Sequence, residues 1–278
     1  MHECVAAALF LEENETMKRW RYVLLVLCTA VISISGTYLM TYFMRSEENK
    51  QEYEDISQIG FPETEADPEE EKDQQEAKQA EDDFDYQSLL AINSDCVGWI
   101  QIPGTDINYP VVQAADNEFY LTHNFNRETA ACGAIFMDYR NDVDAKAEHL
   151  ILYGHQMKDN SMFKQLNGYK KEMFYKEHPN ISLYLHEQKY EYEITAVYVT
   201  NVANGGSYYN YLHWNTRKEQ LNYLQQKMAG YQIYDTGKKV METDELLSLS
   251  TCEYSCDNGR LIVQARRKGK TEDGKQII

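Results

Sequence analysis

The sequence predicts a mostly β domain with peripheral helices, preceded by a single transmembrane helix. Three observations lead to this fold class: a long uncharged apolar run near the N-terminus, an acidic stretch after it, and a remainder in which short strand-like runs dominate. Composition therefore divides the 278 residues into an anchor, a tether and one globular unit.

The apolar run covers residues 22–43 and is long enough to cross a bilayer as a helix. A cleaved signal peptide is the alternative, but the run exceeds a typical signal-peptide core and no clear small-residue cleavage site follows it. Basic residues cluster just before the run, so the positive-inside bias places residues 1–21 in the cytoplasm and the rest of the chain outside. Met17 begins a stretch typical of such an anchor, which raises the hypothesis that the native chain starts there.

Residues 44–83 form an acidic segment that we expect to be an extended extracellular tether. Between Glu47 and Asp85 lie 17 acidic residues and three lysines, which carry about −14 of the formal net charge of −18. Such a segment has little apolar surface to bury and repels itself. An acidic docking tail is the alternative. Binding to nucleic acid would require a basic face and is not expected.

The globular unit, residues 84–268, is predicted to begin with a helix at Asp85–Ile92 and to continue mainly as antiparallel strands, with a C-terminal tail at 269–278. Apolar and alternating runs predict strands at Val97–Ile102, Asn108–Val112, Gly133–Met137, His149–Tyr153, Tyr190–Val202, Leu246–Thr251 and Leu261–Ala265.

Two helical insertions are predicted between these strands. The first covers Asn160–Leu166 and Tyr169–Glu177 and stops before a proline. The second starts at the capping-box pattern Thr216–Glu219, places Leu221 and Met228 in the core, and ends near a glycine suited to a C-terminal cap.

The six cysteines do not form an evident disulfide framework, because Cys4 and Cys28 lie before or within the apolar run. Cys96 and Cys132 are either an extracellular disulfide or two buried thiols, and the sequence leaves both open. No Cys-x-x-Cys pair or His-rich cluster indicates a metal site.

Cys252 and Arg260 are predicted to lie on neighbouring strands, because strand-like runs end and begin around them and a short turn at Asp257–Gly259 joins the two. The Cys252 thiolate is the strongest candidate nucleophile among these residues. His155, at the end of another apolar strand, is suited to proton transfer near neutral pH. Arg260 stays protonated and can only donate hydrogen bonds, for example to a developing oxyanion.

Several further motifs occur in a fixed order along the chain: Val97-Gly98-Trp99-Ile100, Ile102-Pro103-Gly104-Thr105, Tyr109-Pro110-Val111-Val112-Gln113, Tyr120-Leu121-Thr122-His123, Gly133-Ala134-Ile135-Phe136-Met137-Asp138-Tyr139-Arg140-Asn141 and Leu152-Tyr153-Gly154-His155. With Ser250-Thr251-Cys252 and Gly259-Arg260, this pattern resembles the class B sortases, membrane-bound enzymes that cut a sorting signal in a secreted protein and join it to an amine. The resemblance covers nearly all of residues 84–268. It implies a closed eight-stranded sortase-type β-barrel, which periodicity alone does not distinguish from a sandwich.

The resemblance also implies a function. The resemblance would make the protein a membrane-anchored cysteine transpeptidase on the extracellular face of a Gram-positive-type cell, working without a cofactor. The enzyme would cleave an Asn-Pro-x-Thr-x or Ser-Pro-x-Thr-x signal after Thr, through a thioester, and transfer the protein to a cell-wall peptide amine. Its partners would be secreted proteins bearing the signal and the cell-wall precursor. The catalytic residues would be Cys252, His155 and Arg260, with substrate-binding residues Ser250, Thr251 and Glu253.

Other interpretations stay open at this point: a pilin-linking sortase, a papain-like cysteine protease, or a non-catalytic surface binding module. His123 is expected to pack or hydrogen-bond, and Asp138 to hydrogen-bond structurally rather than to complete a triad. Cys256 is either a passive turn residue or the partner of Cys252 in a reversible disulfide. The segment Asn204–His213, rich in Tyr and Gly, is a candidate groove wall.

Overall fold

The structure, a computed structural model, describes residues 2–62, 84–143, 148–201, 216–226, 228–255 and 258–269. The chain separates into two compact units, Met1–Lys50 and Gln51–Ile278. The expectations for Asn204–His213, for Cys256 and for the side chains of Leu221 and Met228 lie outside the described residues.

The N-terminal helix α1, His2–Gly60, contains the predicted span. Within the described part of the chain it is the one helix long and apolar enough to cross a membrane, and most of its large apolar side chains between residues 17 and 44 are exposed. The hydroxyls of Thr29, Thr37 and Thr41 donate to carbonyls of their own helix at 2.8–2.9 Å. Because hydrocarbon offers a hydroxyl no other partner, this pattern suits a lipid-facing surface.

The acidic segment is helical, not extended, from residue 44 to Gly60. Within the second unit, Tyr53 and Ile56 of this helix are buried, with exposed fractions of 6% and 3%. The two side chains and Gly60 recur at three- and four-residue spacing, so one face can pack although the composition is acidic. The remainder of the expected tether, residues 63–83, lies outside the described residues.

The second unit is a closed eight-stranded barrel, as the family resemblance implied. Its order is β1-β2-β3-β4-β7-β8-β6-β5, closing back to β1. The strands are β1 Cys96–Gln101, β2 Asn108–Val112, β3 Ile135–Met137, β4 His149–Tyr153, β5 Asn180–Leu185, β6 Gln188–Asn201, β7 Leu246–Glu253 and β8 Gly259–Arg267. The β2–β3 and β4–β7 pairs are parallel and the others antiparallel.

Strand β5 was missing from the sequence prediction. It starts directly after Pro179 and pairs with β1 on one side and β6 on the other. Its four central residues are all buried, so it lacks the alternation that marks a half-exposed strand. A run this short and continuous does not stand out by periodicity.

Helices lie between the strands near the predicted positions: α2 Tyr86–Ile92, α3 Glu172–Glu177 and α4 Arg217–Gln226, with 3-10 turns at Phe119–Leu121, Phe163–Lys170 and Met228–Tyr231. The first insertion is therefore mainly 3-10 where an α-helix was predicted at Asn160–Leu166. At the start of α4, the Glu219 amide donates to the Thr216 hydroxyl at 3.3 Å, as the capping box predicted.

Cys96 and Cys132 are both buried and unbonded to each other. Burial raises the pKa of each thiol to about 12, because the charged thiolate is disfavoured away from water. The alternative of two buried thiols is therefore the one that the structure shows.

Candidate active site

Cys252 and Arg260 face each other across two antiparallel strands. They form a directly opposed pair in the β7–β8 ladder, which places their Cβ atoms about 5 Å apart. The turn between the strands includes Asn258, whose positive φ of 53° is tolerated by asparagine better than by most residues. The sequence prediction of neighbouring strands for these two residues is confirmed.

His155 reaches the same end of the barrel through the parallel β4–β7 pair. The last paired residues are Tyr153 and Ser250, so His155 and Cys252 each follow the last pair by two residues. Between them, the Gly154 amide donates to the Ser250 carbonyl at 3.2 Å. A Cβ at Gly154 would lie 2.4 Å from the Ile135 side chain, so a glycine lets the strand approach this closely.

Cys252, His155 and Arg260 all line one cavity of about 150 Å³. The residues that line it are Asn117, Leu121, Phe136, Tyr153, Gly154, His155, Ser250, Thr251, Cys252 and Arg260. The side chains of Cys252, His155 and Arg260 are half-buried, so they are accessible yet partly shielded from water. A partly shielded cavity strengthens the electrostatic interaction between charged groups.

The His155 ring has a defined tautomer in this arrangement. Its Nε2 lies 2.7 Å from the Leu121 carbonyl oxygen. Because a carbonyl can only accept, Nε2 carries the hydrogen, and Nδ1 is the nitrogen left to exchange a proton.

Gln156 connects the histidine segment to the nucleophile strand. Its Nε2 donates to the Cys252 carbonyl at 2.9 Å, and its Oε1 accepts from Lys164 Nζ at 3.2 Å. The side chain therefore bridges the 3-10 region after His155 and the backbone of Cys252. This bridge connects the two segments beyond Tyr153 and Ser250, the last pair of the strand ladder.

The three residues predicted to bind substrate fall into two groups. Ser250 and Thr251 line the cavity, whereas Glu253 is not among the lining residues. The buried Glu253 carboxylate accepts from Lys170 and from the amide and hydroxyl of Ser255. Burial alone would raise the pKa of Glu253, but these hydrogen bonds hold it below its usual value.

The Thr251 hydroxyl is buried and has no hydrogen-bond partner among the described residues. A buried unsatisfied hydroxyl costs free energy unless another group reaches it. A ligand group entering the cavity is one way to supply that partner.

Asn117, Leu121 and Phe136 line the cavity but were not predicted as site residues. The quoted motifs included Leu121 and Phe136, so their place in the family pattern was a signal. Asn117 lies in a loop without periodicity, and only its proximity to the Tyr120-Leu121 motif could have indicated it.

Asp138 does not line the cavity but contacts two residues that do, Asn117 and Tyr153. Its fully buried carboxylate accepts from Arg140 Nη2 at 2.7 Å, from the Tyr153 hydroxyl at 2.8 Å and from Asn117 Nδ2 at 3.1 Å. None of its hydrogen bonds reaches His155. Burial alone would raise the pKa of Asp138, but the bonds from Arg140 and Tyr153 hold it below the usual value. Asp138 therefore orients two lining residues, in agreement with the structural role expected from the sequence.

His123 also has the expected structural setting. Its ring stacks on Phe119 with a centroid distance of 4.1 Å, and its Nδ1 donates to the Phe119 carbonyl at 2.8 Å. In the part of the chain that the structure describes, no group of three His, Cys, Asp or Glu side chains is arranged to hold a metal ion.

Comparisons with known proteins agree with this geometry. The sortase domain family matches residues 100–268. Sortase B of Staphylococcus aureus is 31% identical over 256 residues, covering 90% of this chain and 97% of that protein. Sortase B of Listeria monocytogenes is 38% identical over 184 residues, covering 66% of this chain and 73% of that protein.

Solved structures of sortase B are also similar to this chain. A Staphylococcus aureus sortase B–substrate complex has a TM-score of 0.66 at 30% identity, covering 81% of this chain and 98% of that one. A sortase B from Bacillus anthracis has a TM-score of 0.66 at 35% identity with the same coverage. The chain therefore belongs to the sortase family, within class B, and is a cysteine transpeptidase.

Proposed function

We propose that this sortase cleaves an Asn-Pro-x-Thr-x or Ser-Pro-x-Thr-x sorting signal after Thr and transfers the protein to a cell-wall peptide amine. The observation that carries the proposal is the convergence of Cys252, His155 and Arg260 on one cavity. A nucleophile, a proton carrier and a hydrogen-bond donor for the developing oxyanion together suit acyl transfer through a thioester.

In the proposed reaction the Cys252 thiolate attacks the Thr carbonyl carbon and forms the S–C bond. The peptide C–N bond then breaks, and its electron pair leaves on the amine nitrogen, which takes a proton from His155 Nδ1. The incoming amine attacks the thioester carbon and gives its proton to Nδ1. The C–S bond breaks with its electron pair returning to sulfur, so thiolate and imidazolium are both regenerated.

Arg260 donates to the carbonyl oxygen as negative charge develops on it. Its position opposite Cys252 on the neighbouring strand fits this role, because the oxygen of an acyl group on sulfur lies within reach of both residues. Ser250 and Thr251 contact the signal from the cavity wall. Glu253 acts from behind, by ordering the segment that follows the nucleophile.

The placement in the cell is part of the same proposal. Residues 1–21 are cytoplasmic, 22–43 cross the membrane, and the acidic segment 44–83 connects this span to the catalytic domain, 84–268, with a tail at 269–278. The catalytic domain then faces secreted proteins and the cell-wall precursor on the extracellular side of a Gram-positive-type cell. The basic residues before the apolar run support this orientation.

Mass spectrometry of the detergent-solubilised full chain tests the proposal. The protein is incubated with peptides of both signal types, with and without an amine acceptor, beside Cys252→Ala. We expect a thioester adduct on Cys252 and an amine-dependent ligated product, both absent in the variant. Hydrolysis that no amine diverts would favour a protease. Binding that survives Cys252→Ala without any adduct would favour a binding module, and preference for a protein lysine would favour a pilin-linking sortase.

A further inference from the structure

The C-terminal end of helix α1, residues 51–60, packs against the backbone segments that hold His155. This stretch belongs to the second compact unit together with the barrel. It was expected to be part of an extended spacer, yet three of its side chains, Glu52, Tyr53 and Ser57, form hydrogen bonds with the rest of this unit. The partners of Glu52 and Tyr53 lie near the histidine side of the cavity.

Tyr53 contacts the first of these segments. Its hydroxyl donates to the Gly133 carbonyl at 3.0 Å, and its side chain is buried. Gly133 has a positive φ of 58°, and a Cβ placed on it would lie 3.2 Å from His155 Cδ2 and 3.0 Å from the Leu121 carbonyl oxygen. Gly133 therefore lies against both the imidazole ring and the oxygen that accepts its Nε2 hydrogen.

The Tyr53 ring contacts the second segment. It packs edge-to-face on Tyr109 at a centroid distance of 5.4 Å. The Tyr109 hydroxyl accepts from the Met162 amide at 3.0 Å, and the next amide, Phe163, donates to the His155 carbonyl at 2.9 Å. Tyr53 is thus linked to His155 by two routes, one through Gly133 and the other through Tyr109.

Glu52 adds a third contact beside Tyr53. Its carboxylate accepts from Asn124 and Asn126, each at 2.8 Å, in the turn that follows Leu121. Burial raises the pKa of Glu52, an effect that the two asparagine bonds partly offset. The three contacts together fix the loop carrying Leu121 relative to the helix.

We propose that Tyr53 is a positioning residue for His155, acting through Gly133 and Tyr109. It keeps the Leu121 carbonyl aligned with Nε2–H, so that Nδ1 is the nitrogen that exchanges the proton with substrate. This inference rests on the proposed role of His155. It gives the end of α1 a role in positioning the histidine, although none of the described α1 side chains lines the cavity.

Tyr53→Phe tests the proposal, with Tyr86→Phe as the matched control. Both changes remove one buried hydroxyl that donates to a backbone carbonyl at 3.0 Å, but the Tyr86 hydroxyl bonds to Cys96 at the start of β1, which does not line the cavity. Circular dichroism and Tm of the full chains in detergent establish that both variants are folded and lose comparable stability.

The first readout is the ¹⁵N spectrum of histidine-labelled full chain, with the His155 signals assigned from His155→Gln. In the neutral form of the ring, we expect wild type and Tyr86→Phe to show one protonated and one unprotonated nitrogen, and Tyr53→Phe to show averaged tautomers. This readout needs no turnover, so it tests positioning even where the proposed transpeptidation fails.

The second readout is steady-state transfer. We expect Tyr53→Phe to lower kcat about tenfold with KM changed less than about twofold, because misalignment of a proton carrier affects the chemical step and leaves the binding surface intact. Tyr86→Phe should stay within about twofold of wild type. An unchanged tautomer in Tyr53→Phe, or equal losses in both variants, would overturn the proposal.

Discussion

The nucleophile side and the histidine side of the cavity are held by different kinds of structure. Cys252 and Arg260 lie within paired strands, where the ladder of backbone hydrogen bonds fixes the register. His155 lies beyond the last pair of its strand and is held by single hydrogen bonds from loops. A ladder is specified by a hydrophobic pattern, whereas a loop contact depends on individual side chains far away in sequence. The two sides should therefore respond differently to mutation.

The largest effect is expected on the strand side, from Arg260→Lys. Lysine keeps the positive charge but lacks the planar fork of donors, and the register of β8 does not depend on the side chain. We expect kcat/KM to fall about 100-fold while Tm changes little, because the lost interaction forms in the transition state. Steady-state kinetics with a signal peptide, together with a melting curve, would check this. A similar loss in Arg267→Lys, at the other end of β8, would contradict it.

Asp138→Asn should disturb the hydrogen bonds that orient Tyr153 and Asn117, two residues that line the cavity. The substitution leaves the Arg140 guanidinium without its buried carboxylate, and we expect a loss of about 2 kcal/mol, less than for a fully buried pair because Arg140 is partly exposed. Urea unfolding measures this. The lowered pKa of Asp138 gives a contribution to stability that is fully present above the unfolded value near 3.8. The difference from wild type should therefore shrink as pH falls below 3.8 and be lost as pH passes through the lower pKa of the folded state.

The activity of Asp138→Asn separates two roles. A positioning role predicts a raised KM with kcat reduced less, because asparagine has one oxygen acceptor in place of two, and Tyr153 and Asn117 then compete with Arg140 for it. Complete loss of turnover in folded protein would instead support a Cys-His-Asp triad and overturn the assignment made here.

Gln156→Ala tests the bridge between the sides. Losing its hydrogen bond to the Cys252 carbonyl should lower kcat/KM about tenfold, because the histidine segment is no longer tied to the nucleophile strand. Lys164→Ala removes only the outer end of the bridge and should cost less. The rate of Cys252 alkylation and the transfer rate would be measured on wild type and both variants. Equal losses in the two variants would contradict a specific role for the hydrogen bond between Gln156 and the Cys252 carbonyl.

The smallest effect is expected from Glu253→Gln, behind the nucleophile. The substitution weakens the contacts with Lys170 and Ser255, and we expect a loss of about 1 kcal/mol of stability. The low pKa of Glu253 implies that this contribution is present above about pH 4.5 and is lost in acid. Thermal melts at neutral and acid pH would check this. A raised KM with unchanged stability would restore the substrate contact predicted from the sequence.

The same division explains how much the sequence could predict. The β7–β8 pair, the end of β4 and the closed barrel followed from strand patterns and from motifs in the family's order. The contact of Tyr53 with Gly133 joins residues 80 positions apart, and the acidic composition around Tyr53 concealed the packed helix face. Asn117 and the partners of Glu253 were not predictable for the same reason: single side chains in irregular segments leave no period in the sequence.

The parallel pairing of β4 with β7 also has a consequence for folding. Gln156 and Cys252 are 96 positions apart, so the segment carrying His155 meets Cys252 only after a long crossover has closed, whereas Arg260 follows Cys252 by a short hairpin. Long-range contacts of this kind form late, because the entropy of loop closure must be overcome first. A partly folded chain therefore carries the Cys252 thiol without His155 beside it, and the site is incomplete until the barrel has closed.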